Sequence, residues 1–258
     1  DLSPPAISYT PLANTRFTTN RTVTATITDA SGVGSGAGAP LIYYRKGSSG
    51  GYTSAVATSI VGNDYTFTID HSAIGGVVAG DIVQYYVAAQ DLATTPNGGT
   101  NPSGGSGINP PGSTPPSSPN SYTILYVFSS FPYTEDFEGP ESPVRKQKHE
   151  SDNPLSSGLG WSTGIFSGSV NEWVRGTPAK TQLNAAHSGT MAYVTLTTGS
   201  YSNSQNSFVQ SPIFDFTAEV GDPTLQFWHN FKTEANWDAG ILEYSTNGGT
   251  AWRRSDST

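Results

Sequence analysis

The chain has 258 residues, enough for two ordinary domains, and only 12% of them are charged. Its net charge of −8 argues against the basic face of a nucleic-acid-binding protein, and no apolar run approaches the ~20 residues that span a membrane. The absence of cysteine excludes a disulfide framework. The 29 glycines, 18 prolines, 13 tyrosines and 11 phenylalanines favour many short strands joined by turns.

Alternation of apolar and polar residues predicts a first all-β module over residues 1–128. In residues 21–28 (RTVTATIT) the apolar side chains point to one face and the threonines to the other. Residues 82–89 are apolar on both faces, which is typical of a central strand. The other predicted strands are residues 41–44, 65–69 and 121–127. Strands at this spacing predict a sandwich of the immunoglobulin or fibronectin type.

One segment interrupts this pattern. Residues 96–119 are rich in proline, glycine, serine and asparagine and cannot bury a core of their own. Because strand patterning resumes at residue 121, we interpret the segment as an insertion before the last strand, either a long loop or an ordered meander.

A second module is predicted from residue 131 to residue 258. Its predicted strands are residues 172–174, 191–195, 208–209, 225–230 and 240–244. Asn247, Gly248 and Gly249 predict a hairpin turn. No segment of useful length has a helical period, so the predicted fold class is all-β.

Four segments of the first module carry a resemblance to known proteins. They are PPAI at 4–7, TDASGV at 28–33, YYRK at 43–46 and GDIVQYYVAAQD at 80–91. With these segments the module resembles immunoglobulin-like repeats in large surface proteins of Bacteroidetes.

Five ordered segments carry a second resemblance. They are DFEG at 136–139, AHSG at 186–189, QSP at 210–212, LQFWH at 225–229, and WDAG at 237–240 running into YSTNGG at 244–249. These segments resemble jelly-roll modules related to MAM domains and to domains appended to secreted bacterial metalloproteases. The resemblance implies a jelly-roll-type sandwich with an accessory, adhesive or carbohydrate-binding role. Such modules continue past the tryptophan that follows the hairpin. The resemblance therefore predicts a jelly roll that is incomplete at its C-terminal end, through truncation or because another chain supplies the missing strands.

Calcium is the predicted cofactor of the second module. Residues 126–258 hold fourteen of the twenty acidic residues, and Ca²⁺ binds six to eight carboxylate, carbonyl and water oxygens. By resemblance, Glu138 and Asp238 are the ligand positions, with Asp136 and the carbonyl of His187 as weaker candidates. The alternative is that these residues are ordinary solvated acids in turns.

The tryptophans divide into two predicted groups. Trp161 and Trp237 flank glycine- or asparagine-rich turns, where an exposed ring could stack on a sugar face. Packing in the core or at an edge is the alternative for both. Trp173, Trp228 and Trp252 lie in strand-like contexts and are predicted to be core residues.

The chain is predicted not to be an enzyme. His149 and Glu150 begin a zinc-protease pattern, but no second histidine follows at the required spacing. His187 and Ser188 are adjacent, and adjacent residues on a strand point to opposite faces. The acidic residues include groups that could form a glycosidase pair, but nothing in their spacing marks one as the proton donor.

The predicted function is that of a non-catalytic, extracellular structural and adhesive segment of a large secreted or cell-surface bacterial protein. Its expected partners are other domains of the same polypeptide or neighbouring subunits. One alternative is a carbohydrate-binding accessory module of a secreted hydrolase, with glycans as partners. A second alternative is a surface-filament subunit, in which a neighbour's strand completes the jelly roll.

Overall fold

The computed structural model describes residues 1–139, 160–234, 236–249 and 251–255. Within these ranges the chain forms 17 strands and no α-helix, with two short 3₁₀ turns at Gly36–Gly38 and His71–Ile74. The all-β prediction is confirmed. The chain divides into two compact units, Asp1–Leu125 and Tyr126–Thr258.

The first unit contains nine strands in two antiparallel sheets. The strands are β1 (Ala6–Ser8), β2 (Arg21–Thr28), β3 (Leu41–Lys46), β4 (Thr53–Val56), β5 (Ser59–Val61), β6 (Asp64–Ile69), β7 (Ile82–Gln90), β8 (Gly98–Asn101) and β9 (Asn120–Thr123). One sheet has the order β1-β2-β6-β5. In the other, β7 pairs with β3 on one side and with both β8 and β9, while β4 pairs with β3. The C-terminal half of β7 pairs with β8 and its N-terminal half with β9.

The main core of the first unit consists of side chains from both sheets. On β2, Val23, Ala25 and Ile27 are buried and the alternate threonines are exposed, so the predicted alternation is confirmed. The other buried core residues are Ile42, Tyr44, Phe67, Ile69, Val77, Val83, Tyr85, Val87, Ala89, Tyr122 and Ile124. Full burial of a large aliphatic or aromatic side chain stabilises a fold by about 1.5–3 kcal/mol.

The core also contains a histidine. His71 is 3% exposed, and its ring nitrogens contact the Thr18 carbonyl at 2.8 Å and the Tyr122 hydroxyl at 2.7 Å. Because a carbonyl only accepts hydrogen bonds, Nδ1 donates to Thr18, and Nε2 shares a hydrogen bond with the Tyr122 hydroxyl. Both ring nitrogens thus have partners inside the protein.

The outer face of β3 and β7 is covered as well. Tyr43 and Tyr86 stack there with ring centroids 4.8 Å apart. Their hydroxyls donate to the carbonyls of Pro111 and Gly112, at 2.9 Å and 2.8 Å. The proline- and glycine-rich segment therefore folds back onto the sheet as a cover, which explains why β7 is apolar on both faces.

The predicted insertion also contributes to the sheet. Residues 98–101 within it form β8, and a single bridge joins Ser106 to Thr114. The sequence pattern misses β8 because Gly98 and Gly99 have low strand propensity. In the structure the close approach of neighbouring backbone explains these glycines, since a Cβ at Gly98 would lie 2.7 Å from the Gly107 carbonyl oxygen.

The described residues of the second unit form eight short strands arranged as pairs. They are β10 (Val127–Phe128), β11 (Ser162–Ser167), β12 (Trp173–Gly176), β13 (Ala192–Thr195), β14 (Asn206–Gln210), β15 (Ile213–Phe214), β16 (Glu243–Tyr244) and β17 (Arg253–Arg254). The pairs are β10-β15, β11-β14, β12-β13 and β16-β17, of which only β10-β15 is parallel. The β16-β17 pair encloses the predicted Asn247-Gly248-Gly249 turn.

Two regions differ from the strand predictions. The predicted strand 121–127 is split: β9 ends at Thr123, whereas Val127 and Phe128 pair with β15. The first compact unit ends at Leu125. The predicted strand at 225–230 is wrong, because no described residue pairs with it, and its large apolar side chains are exposed.

Aromatic contacts hold much of the second unit together. Phe128, Tyr133 and Phe214 form one cluster, with centroids of Phe128 and Tyr133 4.8 Å apart. Phe131 and Phe216 extend it through a stacked contact at 4.7 Å. Such pairs contribute about 0.5–1.5 kcal/mol each beyond the area they bury.

Candidate functional site

An open cleft of about 480 Å³ lies at one end of the β12-β13 pair. It is lined by residues 171–174 on one side and 196–198 on the other. Strand β13 ends at Thr195, and Leu196 then adopts a positive φ of 66° while its N–H bonds to the Glu172 carbonyl at 2.9 Å. This turn of the backbone ends the ladder and separates the two walls of the cleft.

The Glu172 carboxylate is fixed beside this cleft. It accepts hydrogen bonds from the Ser202 N–H at 2.7 Å, the Ser202 hydroxyl at 2.5 Å and the Gln205 amide at 2.8 Å. Partial burial raises the pKa of Glu172, but these donors outweigh it and the net shift of the pKa is downward. An ionised, donor-saturated carboxylate of this kind positions the 201–205 loop and is a poor proton donor for hydrolysis.

The same loop positions a second carboxylate. The hydroxyl of Tyr201 donates to Asp238 Oδ2 at 2.7 Å, and this hydrogen bond raises the pKa of Tyr201. Among the described residues, none donates to Oδ1 of Asp238. Trp237, the preceding residue, is 82% exposed. Tyr201 and Ser202 thus connect Asp238 and Trp237 to the cleft at Glu172.

The two tryptophans predicted to bind a ligand lie in different surroundings. Trp161 is half-buried: its indole N–H donates to the Tyr133 hydroxyl at 3.0 Å, and its ring packs against the edge of Phe137 at 5.1 Å. Trp237 has no ring contact of this kind within the described part of the chain. Of these two tryptophans, Trp237 is therefore the one with a ring face that a ligand could cover.

The carboxylates of Glu138 and Asp136 both accept hydrogen bonds from backbone N–H groups. Glu138 accepts from the N–H groups of Thr190 and Met191, at 2.7 Å and 2.6 Å, and from the Thr190 hydroxyl at 2.9 Å. Asp136 accepts from the N–H of Glu138 at 3.0 Å. The donors from Met191 and Thr190 hold the pKa of Glu138 below its ordinary value. Through these hydrogen bonds Glu138 holds the loop that follows His187 in place.

His187 itself stacks on Trp228, with centroids 3.8 Å apart and an interplanar angle of 9°. Trp228 is nevertheless 70% exposed. The prediction that Trp228 is a core residue is wrong, because it lies in the stretch that lacks a pairing strand. Trp173 and Trp252 are half-buried.

The four residues predicted to hold calcium each take part in one of the contacts described above. Glu138 and the 186–191 loop lie together, since a Cβ at Gly189 would come within 2.5 Å of the Glu138 carboxyl carbon. Asp238 is held by Tyr201 instead. Neither acid belongs to the one group of three closely spaced acidic side chains that the described residues contain.

That group is Asp1, Asp29 and Asp91 in the first unit, whose carboxylate oxygens lie within 4.8 Å of one another. Asp91 is fully buried and accepts from the N–H and side-chain amide of Asn97, both at 2.7 Å. Burial raises the pKa of Asp91, but these hydrogen bonds outweigh it and the pKa is lowered overall. The sequence provides no signal for this group, because its members are far apart in the chain.

Three acidic residues of the second unit lie in different contacts within the described ranges. Glu243 lies on β16 opposite Arg254, while Glu172 and Asp238 lie on either side of the Tyr201-Ser202 dipeptide. His149 and Glu150 lie outside the described residues. No long apolar helix that could cross a bilayer is present in the ranges that the structure describes.

No protein-family model matches this sequence, and no curated protein matches it either. The resemblances to immunoglobulin-like repeats and MAM-like jelly rolls therefore stay predictions, which rest on the segments quoted for them.

Proposed function

We propose that this chain is a non-catalytic, extracellular segment with structural and adhesive roles in a larger cell-surface protein. The observation that supports the adhesive role is the exposure of large apolar side chains in the second unit. They include Leu225, Phe227, Trp228, Phe231, Trp237 and Ile241. Exposed apolar surface of this extent is typical of interaction sites, because its burial against a partner is favourable.

The first unit fits the structural role. Its core is closed, its sheet is covered on the outer face by residues 102–119, and its central histidine is fully hydrogen-bonded. A unit of this kind resists deformation and can space a binding module from its point of attachment. The expected partners are other domains of the same polypeptide or neighbouring subunits.

The adhesive role is tested with beads that carry the whole chain, by measuring their retention under flow on cells of the producing organism. A triple variant, Leu225→Ser with Phe227→Ser and Phe231→Ser, is expected to lower retention. The matched control removes three exposed apolar side chains of the first unit, in Val56→Ser with Ile60→Ser and Val61→Ser. Equal retention by both variants and the unaltered chain contradicts the proposal.

A carbohydrate-binding accessory module is the second candidate function. It is favoured by the exposed ring of Trp237 beside the partly free carboxylate of Asp238. A filament subunit is the third candidate, favoured by residues 225–230, which pair with no strand among the described residues. Light scattering on the natively isolated protein separates it from the others, since only a filament subunit forms polymers whose length depends on concentration.

Structural calcium is part of the proposal for the second unit. Support comes from the position of Glu138 against the 186–191 loop, because two of the segments implied by resemblance lie together there. Millimolar calcium is expected to raise the Tm, and Glu138→Ala is expected to remove that increase. Glu219→Gln is the control, because the Glu219 carboxylate accepts no hydrogen bond from any described residue and lies outside the group of closely spaced acids. An unchanged Tm with calcium and with chelator contradicts calcium binding.

A further inference from the structure

The surface around Trp237 combines three features that a ligand site requires. Trp237 offers an exposed aromatic ring. Asp238, its neighbour, is held in one orientation by the 2.7 Å bond from Tyr201, which leaves Oδ1 as an acceptor. Ser202, the residue after Tyr201, donates a hydrogen bond from its backbone N–H to the Glu172 carboxylate beside the cleft. Polar groups are thus fixed before any ligand arrives, so little ordering cost accompanies binding.

These features fit the chemistry of a sugar ring. A pyranose has one face made of C–H groups, which can cover an aromatic ring, and a rim of hydroxyls that donate to carboxylate oxygens. A purely apolar ligand would leave the Asp238 carboxylate desolvated without a donor, which is costly. A saccharide can stack on the Trp237 ring and also donate hydrogen bonds to the Asp238 carboxylate.

Charge restricts the class of saccharide. Glu234, Asp238 and Glu172 lie on or next to this surface, and residues 126–258 hold fourteen acidic residues against eight lysines and arginines. Uronate, sulfate or sialate groups would be repelled by this field. Neutral sugars avoid that penalty.

The open cleft beside Glu172 adds further contact surface. Its volume is about 480 Å³, and Trp173, Val174 and Thr197 are among the residues that line it. An oligosaccharide could contact the cleft and the Trp237 face together.

We infer that Trp237, Asp238 and Tyr201, together with the cleft at Glu172, form a binding site for a neutral oligosaccharide. Trp237 supplies the stacking face, Asp238 accepts hydrogen bonds from sugar hydroxyls, and Tyr201 positions Asp238. The inference rests on the proposed adhesive function and deepens it by assigning a ligand class to one part of the surface.

The test is titration calorimetry of the whole chain with neutral hexasaccharides of β-1,4-linked glucose, mannose and xylose, and with a galacturonate hexasaccharide. At least one neutral compound is expected to bind. Trp237→Ala is expected to weaken it about tenfold, with Trp237→Phe restoring part of the loss because a smaller ring still stacks. Asp238→Ala is expected to weaken it as well.

Phe17→Ala is the matched control, since Phe17 is an exposed aromatic side chain in the first unit. It is expected to leave binding unchanged. The inference is overturned if no neutral hexasaccharide binds, if Trp237→Ala binds as the unaltered chain does, or if the galacturonate compound binds equally well. Bead retention that persists after any of these results leaves the adhesive function standing, so the two failures are distinguishable.

Discussion

Two apolar surfaces of this protein differ in whether another segment of the chain covers them. On the outer face of the first unit, Tyr43 and Tyr86 are buried under residues 102–119, and their hydroxyls bond to the cover. In the second unit, the apolar side chains of residues 225–231 are exposed and have no strand beside them among the described residues. Both stretches show dense apolar patterning in the sequence. The comparison shows that patterning predicts which side chains can be buried, whereas a separate segment decides whether they are.

The largest expected effect comes from lifting the cover of the first unit. A Cβ at Gly112 would lie 2.2 Å from the Cβ of Ala88 on the central strand, and Gly112 has a φ of +72°. Gly112→Ala is therefore expected to lower the free energy of unfolding by about 3 kcal/mol, from overpacking and backbone strain combined. Urea unfolding followed by circular dichroism measures the loss.

Gly50→Ala is the matched control for this change. Gly50 also has a positive φ, +87°, but open space surrounds its Cα. Only the backbone strain of a positive φ remains at this position, so the free energy of unfolding is expected to fall by about 1 kcal/mol. Equal losses at the two positions would show that residues 102–119 do not press on the sheet as described.

Removal of the buried histidine is expected to have the next largest effect. His71→Ala deletes the hydrogen-bond partner of the Tyr122 hydroxyl and the donor to the Thr18 carbonyl, and it leaves a cavity. A loss of about 2–3 kcal/mol is expected in the same unfolding measurement. His229→Ala in the exposed stretch of the second unit should change stability by less than about 0.5 kcal/mol. A larger loss at His229 would mean that this stretch is packed.

The sequence predicts the first unit better than the second for a physical reason. In β2, burial of every second residue is a local property, and the pattern RTVTATIT encodes it directly. The pairing of Val127 with Ile213 depends on segments far away in the chain, and so does the absence of a described strand beside residues 225–230. The wrong predictions for Trp228 and for strand 121–127 both arise from this dependence.

The candidate site shows the same limit. The sequence indicates Trp237 from its turn context and Asp238 from a resemblance. It does not indicate that Tyr201 would fix Asp238, or that Ser202 would bond to Glu172, because no spacing rule connects residues 172, 201 and 238. Likewise Trp161 has a turn context similar to that of Trp237, yet its indole bonds to Tyr133.

A smaller effect is expected from a single hydroxyl under the cover. Tyr86→Phe leaves the Gly112 carbonyl without its donor, and a loss of about 1 kcal/mol is expected. Limited proteolysis should also cleave residues 102–119 faster. Tyr244→Phe, on the exposed β16, is the control and should alter neither measurement. Unchanged proteolysis in Tyr86→Phe would indicate that stacking on Tyr43 alone retains the cover.

The smallest expected effect is the loss of the thermal stability that the Glu138 carboxylate contributes in the second unit. Hydrogen bonds from Met191 and Thr190 lower the pKa of Glu138 in the folded state. The ionised form therefore stabilises the fold above the ordinary glutamate pKa of about 4.3, and that contribution is lost as the pH falls through the lower, folded-state pKa. Glu138→Gln is expected to lower the Tm at neutral pH and to weaken its fall in acid.

The control for this change is Glu219→Gln, because the Glu219 carboxylate accepts no hydrogen bond from any described residue. Its Tm should follow that of the unaltered chain at every pH. If Glu138→Gln also follows the unaltered chain, the 186–191 loop is not held by Glu138. The difference between the two units would then extend beyond the exposed stretch at 225–231, since the contact that fixes a loop in the second unit would contribute nothing measurable to its stability.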